Sequence, residues 1–233
     1  MQRRTISSFL LSSAASSLAV FHLGAVAQTQ GLSNQQVSNG LKTALEQGAR
    51  AAVAQLGRQD GFWSNDKVRI PLPGFLQDTA KLLRRIGQGD RLDELLKAMN
   101  QAAEAAVPLA KDSLVAAVKS MSFQDAATVL RGGDTSVTEF FASKTRLNLT
   151  EKFLPVVTKT TSRVDLATKY NRIISKAAGM GMLRAEQQSL EHYVTDKTLD
   201  GLYFMIGQEE KKIRRDPIGT GSALLGKVFG TLR

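Results

Sequence analysis

The sequence predicts an all-α fold: a single-domain helical bundle with kinked helices and one extended loop near residues 58–73. Apolar side chains recur at three- and four-residue spacing through nearly every segment from Ser33 to Arg215. Start and stop residues punctuate those segments at helical lengths. Only Arg58 to Pro73 breaks the pattern, because Val68, Ile70 and Leu72 alternate there and Pro71 and Pro73 cannot occupy a helix interior.

Residues 1–27 differ in kind from the rest of the chain. Arg3 and Arg4 precede a serine-diluted apolar stretch from Phe9 to Val26, and Ala25-Val26-Ala27 has the small-x-small pattern of a cleavage site. The expectation is a signal peptide cut after Ala27, a single helical domain over 28–233, and a periplasmic location. Arg3-Arg4 followed by Thr5-Ile6 suits general secretion and the twin-arginine route alike.

In chain order, Ser33 opens a helix that buries Val37, Leu41, Leu45, Val53 and Leu56 and stops at Gly57. The loop comes next, with Asp60-Gly61 as a turn and its alternating part able to form a short edge strand. Phe75 to Ile86 is a short helix closed by Gly87, and Asp90 caps the next, which turns Leu92, Leu95, Leu96 and Met99 inward. Pro108 interrupts that pattern, and a new piece runs from about Leu109 to Lys119. Ser122 with Asp125 reads as a capping box over Phe123 to Arg131, ended by Gly132-Gly133. Asp134 or Thr135 then starts a long helix to about Arg163, through Phe140, Phe141, Leu147, Phe153, Leu154 and Val157, with Pro155 a second kink. Leu166 to Met180 is one more.

Thr195 caps the helix around which the rest is organised. In it Leu199, Leu202, Tyr203, Ile206 and Ile213 keep helical spacing, and Phe204 and Met205 make the turn from 202 to 206 apolar on every side. Beyond Pro217 the spacing of Ile218, Leu225, Val228 and Leu232 predicts a short amphipathic helix.

Composition excludes several chemistries. The chain has no cysteine, so neither disulfides nor thiolate metal sites are open to it. Its two histidines are His22, in the expected leader, and His192, so no two-histidine metal site is possible in the remainder. Met180, Met182 and His192 make a poor copper site, since methionines beside glycines more often fill a core. GSALLGKV (Gly221 to Val228) resembles a phosphate loop but has Val228 where a hydroxyl must hold magnesium. No metal and no cofactor are expected. The net charge of +10 is concentrated at the end, where Lys211 to Arg233 holds six basic residues against Asp216. A nearly balanced body argues against nucleic acid.

The binding candidates are therefore Phe62 and Trp63, which either plug the loop onto the core or line a ligand cleft, and Lys211, Lys212, Arg214 and Arg215. Those four either form a solvated helix end or meet an anionic membrane surface. Enzymatic work would fall to Asp196 and Asp200, four apart on one helix face, or to Glu209 and Glu210.

GFWSNDKVRIPLP, MNQAAEAAVP (Met99 to Pro108), KFLP (Lys152 to Pro155) and YVTDKTLDGLYFMIGQEEKKIRRDP (Tyr193 to Pro217) together resemble the bacterial family catalogued as domain of unknown function 4197. The similarity covers about Leu32 to Gly230. It implies an exported, mostly helical bacterial domain and supplies no catalytic residues. The sequence thus leads to a non-enzymatic protein that binds an envelope protein or an apolar ligand, with a carboxylate-dependent periplasmic enzyme or a peripheral membrane protein as alternatives.

Overall fold

A computed structural model describes residues 34–133, 135–179 and 189–216. They form eight α-helices: α1 (Asn34–Leu56), α2 (Gly74–Arg85), α3 (Gly89–Ala106), α4 (Ala110–Lys119), α5 (Phe123–Arg131), α6 (Ser136–Thr161), α7 (Asp165–Gly179) and α8 (Leu190–Arg215). A 3-10 turn, Val107–Leu109, joins α3 to α4 at the expected proline. No strand occurs among the described residues. Ser33, Met180, Met182, residues 1–27, the GSALLGKV motif and the helix expected beyond Pro217 lie outside them.

The apolar stripes close on one another. α8 packs against α6 and α1, and α6 against α3, around one continuous core. Leu41 and Leu56 of α1, Leu92 and Met99 of α3, Phe141 and Phe153 of α6, and Leu199 and Leu202 of α8 are all at or near zero exposure. α6 and α8 run antiparallel, since the Thr138 hydroxyl reaches the Tyr203 carbonyl while Arg146, two turns on, pairs with Asp200.

Local signals place most of the ends. Gly87, at φ +76°, follows α2 in the left-handed region that side chains avoid. The capping box forms as expected: the Ser122 hydroxyl accepts the Asp125 N–H at 3.0 Å, and the Asp125 carboxylate accepts the Ser122 N–H at 3.0 Å. Asp90 is not the cap of α3, which begins one residue earlier, but lies in its first turn, where a negative charge suits the helix dipole.

Three further expectations need correction. α8 starts at Leu190 with Ser189 as its cap, because Leu190 and Val194 extend the buried stripe backward and make the longer helix worthwhile. Thr195 is thereby an interior residue, buried, its hydroxyl without a hydrogen-bond partner among the described residues. In α6 the buried series is Phe141, Thr145, Leu149, Phe153 and Val157, so Leu147 falls on the opposite side and is 78% exposed. Finally, the turn from 202 to 206 is not buried all round: Phe204 is 40% exposed while its four neighbours are buried.

Candidate functional site

The loop between α1 and α2 is held by side chains rather than by a sheet. After Leu56 the chain turns through Asp60, at φ 59°, a conformation aspartate tolerates better than most residues. The next N–H groups converge on one buried carboxylate. Glu104 of α3 accepts Phe62 N–H at 3.0 Å and Trp63 N–H at 3.1 Å on Oε1, and Asp60 N–H at 3.1 Å on Oε2. Three peptide dipoles aimed at it offset the cost of desolvating that charge.

One helical turn earlier, Asn100 does for the second half of the loop what a neighbouring strand would do. Its Oδ1 accepts Ile70 N–H at 2.8 Å, and its Nδ2 donates to the Ile70 carbonyl at 3.0 Å and to the Leu96 carbonyl at 2.9 Å. Val68 itself closes a turn, its N–H and that of Arg69 bonding to the Asn65 carbonyl, and the irregular stretch 69–73 that follows is held by Asn100 rather than by a strand. From α8, the Tyr193 hydroxyl donates to the Pro71 carbonyl at 3.1 Å. Burial raises the Tyr193 pKa, which keeps that donor protonated.

Phe62 completes the clamp. It is fully buried over Gly201 of α8, where a Cβ would lie 2.9 Å from the phenyl Cε1 and 3.3 Å from Val68 Cβ. The loop segment, the α3 segment and the α8 segment that carry the sequence resemblance therefore meet at one place.

The residues singled out in the sequence are not all brought together. Phe62 is a core side chain. Trp63 is half-buried, with the Arg69 guanidinium 3.9 Å above its ring. Lys212 does approach the loop: with Arg58, Asp60, Asn65, Lys67 and Met205 it lines a polar cleft of about 470 Å³, and it pairs with Glu209 at 2.6 Å. Lys211 is half-buried and Arg215 exposed, and neither lines that cleft. The Arg214 side chain lies outside the described atoms.

Two further clefts border the same loop. One, of about 490 Å³, has Pro71, Leu72, Ala80 and Leu96 as its apolar wall. The other, of about 470 Å³, runs over Val53, Ala54, Gly57 and Pro108 between basic side chains. Asp196, Asp200 and Glu209 line none of the three clefts. Asp200 is an exposed ion-pair partner of Arg146 at 2.8 Å and of Lys197 at 3.8 Å. His192 is exposed, its Nδ1 2.9 Å from the capping Ser189 hydroxyl. No group of three or more potential metal ligands occurs among the described residues.

Glu104 and Asn100 escaped the sequence reading, although a signal was present. Leu92, Leu96, Asn100 and Glu104 form one four-residue series, so the two polar side chains continue a face that the leucines direct inward. Polar groups on such a face require partners.

A family model described as "Protein of unknown function (DUF4197)" matches residues 31–230. No curated protein and no solved structure matches the chain.

Proposed function

The chain belongs to the DUF4197 family of proteins of unknown function, and from that premise we propose that it is an exported, non-enzymatic binding protein of the bacterial envelope. Its recognition surface is the one built around the loop at 57–73. The observation that carries this reading is that three clefts among the described residues open onto that segment, two of them over apolar walls. A rigid helical scaffold that positions one irregular segment is a common way to build a binding surface.

The enzymatic alternative draws less support. General acid and base work needs carboxyl groups facing a cleft with different environments. Two carboxylates are buried among the described residues: Glu104 is occupied by three backbone N–H groups, and Glu210 lines none of the three clefts, while Asp200 is paired at the surface. Export rests on the leader-like residues 1–27, and a family match that starts at residue 31, past the expected cleavage site, accords with it.

Native mass spectrometry of the protein purified gently from its own envelope tests the reading. A bound small molecule or a second subunit is the expected result. A bare chain, recovered repeatedly under conditions that preserve known complexes, would remove it.

A further inference from the structure

We propose that the groove between the end of α1 and the 3-10 turn binds a single-chain anionic amphiphile, its phosphate or carboxylate head between Arg58 and Lys111 and its alkyl chain over Val53, Ala54 and Pro108. The proposal rests on the binding reading above and names the class of ligand. Three features of the groove lead to it.

First, the floor is apolar and shaped by close approach. Gly57 ends α1 against Pro108, where a Cβ would sit 2.9 Å from the proline Cγ, so no side chain rises from the floor at that point. Val53 and Ala54 continue it along α1. A volume of about 470 Å³ lies within the range of small-ligand sites, roughly 300–1,000 Å³.

Second, the rim has one sign of charge. Arg50, Arg58 and Lys111 line the groove and no acid does. Arg50 is neutralised by Glu46, to which it is bridged at 2.7 Å. Like many surface cations of the protein, Arg58 and Lys111 have no salt bridge among the described residues. Two unpaired cations therefore stand over an apolar surface, one contributed by the loop and one by α4.

Third, these two features select together. A neutral amphiphile covers the floor and leaves the cations without a counter-charge. Inorganic phosphate meets the cations and leaves the floor wet. A molecule carrying both an anionic head and a chain satisfies both.

The test is calorimetric titration of the intact exported protein with decyl phosphate below its aggregation threshold, compared with decyl maltoside, inorganic phosphate and vesicles containing anionic lipid. Decyl phosphate is expected to bind at least about tenfold more tightly than decyl maltoside, a step that one well-placed charge contact can supply. Inorganic phosphate should give no measurable heat. Arg58→Gln with Lys111→Gln should bring decyl phosphate down to the level of decyl maltoside. Ala54→Glu, at an exposed helical position, should abolish binding, and both variants should melt as the wild type does.

Equal affinity for the two decyl compounds, wild-type affinity in the double variant, or binding to vesicles alone overturns the proposal. If it fails while native mass spectrometry still finds a bound species, the anionic-amphiphile assignment falls and the binding reading stands. A bare chain in that experiment removes the binding reading itself.

Discussion

Glu104→Ala would strand three backbone N–H groups, that of Phe62 buried and those of Asp60 and Trp63 partly buried. Leaving a buried donor unsatisfied costs about 1–3 kcal/mol, and partial relaxation of the loop limits the total to roughly 3 kcal/mol. For a domain of this size that lowers the melting temperature by about 6–12 °C. Glu104→Gln keeps one carbonyl oxygen, enough for the two N–H groups that Oε1 now accepts, and loses the third. Its melt should fall between wild type and the alanine variant. Trp63 is the only tryptophan, so its fluorescence reports on the loop directly. A red shift is expected with alanine and a smaller one with glutamine. An alanine variant that melts and fluoresces as wild type does would mean that the carboxylate does not hold the loop.

Between elements, two glycines make opposite predictions. A Cβ at Gly201 collides with the buried Phe62 ring and Val68, whereas one at Gly48 of α1 makes ordinary contacts, 3.5 Å from Glu209 Cβ and 3.7 Å from Ile213 Cδ1. Alanine gains about 1 kcal/mol over glycine inside a helix. Gly48→Ala should keep most of that gain. Gly201→Ala sets it against an overpacking cost of about 1–3 kcal/mol and should come out destabilised, with Trp63 emission shifted. Denaturant titration of both variants decides it. If both are stabilised, Phe62 does not sit tightly on α8.

The capping box of α5 carries a pH prediction. The Ser122 backbone N–H, and after it the Ser122 hydroxyl, hold the Asp125 carboxyl below the usual aspartate range. A pKa lowered on folding stabilises above the unfolded value, and that contribution disappears as pH falls through the folded value. Asp125→Ala should therefore melt below wild type at about pH 6, with the gap closing below about pH 4, where aspartate in an unfolded chain takes up its proton. A gap that stays constant across that range would show that the carboxylate charge is not what stabilises the turn.

At the scale of the whole molecule, the chain depends on one core in which α8 is central. Leu202→Asp places a charge where exposure is zero and forfeits roughly 2–3 kcal/mol of burial besides. Domains have only about 5–15 kcal/mol to lose, so no cooperative melt is expected from that variant. Leu147→Lys, on the exposed side of α6, should stay within about 0.5 kcal/mol of wild type. The proposed export makes a separate prediction: the intact mass of the secreted form should correspond to a chain beginning at Gln28. A retained leader would overturn that proposal.

The features legible in the sequence alone were those that neighbours in the chain decide. Helix type, the breaks at Gly57, Gly87, Pro108 and Gly132-Gly133, and the Ser122–Asp125 box depend on groups within a few residues of one another, and the structure has them there. The all-α class likewise comes from spacing. Phase errors such as Leu147 arose where a polar residue, Thr145, takes a buried place by bonding to the Tyr203 hydroxyl at 2.9 Å and the Phe141 carbonyl at 2.7 Å. The candidate site was decided only in tertiary structure. Glu104 and Asn100 meet the loop across 30 to 44 residues, and Phe62 meets Gly201 on a helix far along the chain. A carboxylate at position 104 has no local reason to be buried. It becomes an anchor because α3, packed against α6 and α8, points it at a loop whose N–H groups have no strand to pair with, and the buried one, at Phe62, must find its acceptor inside the protein.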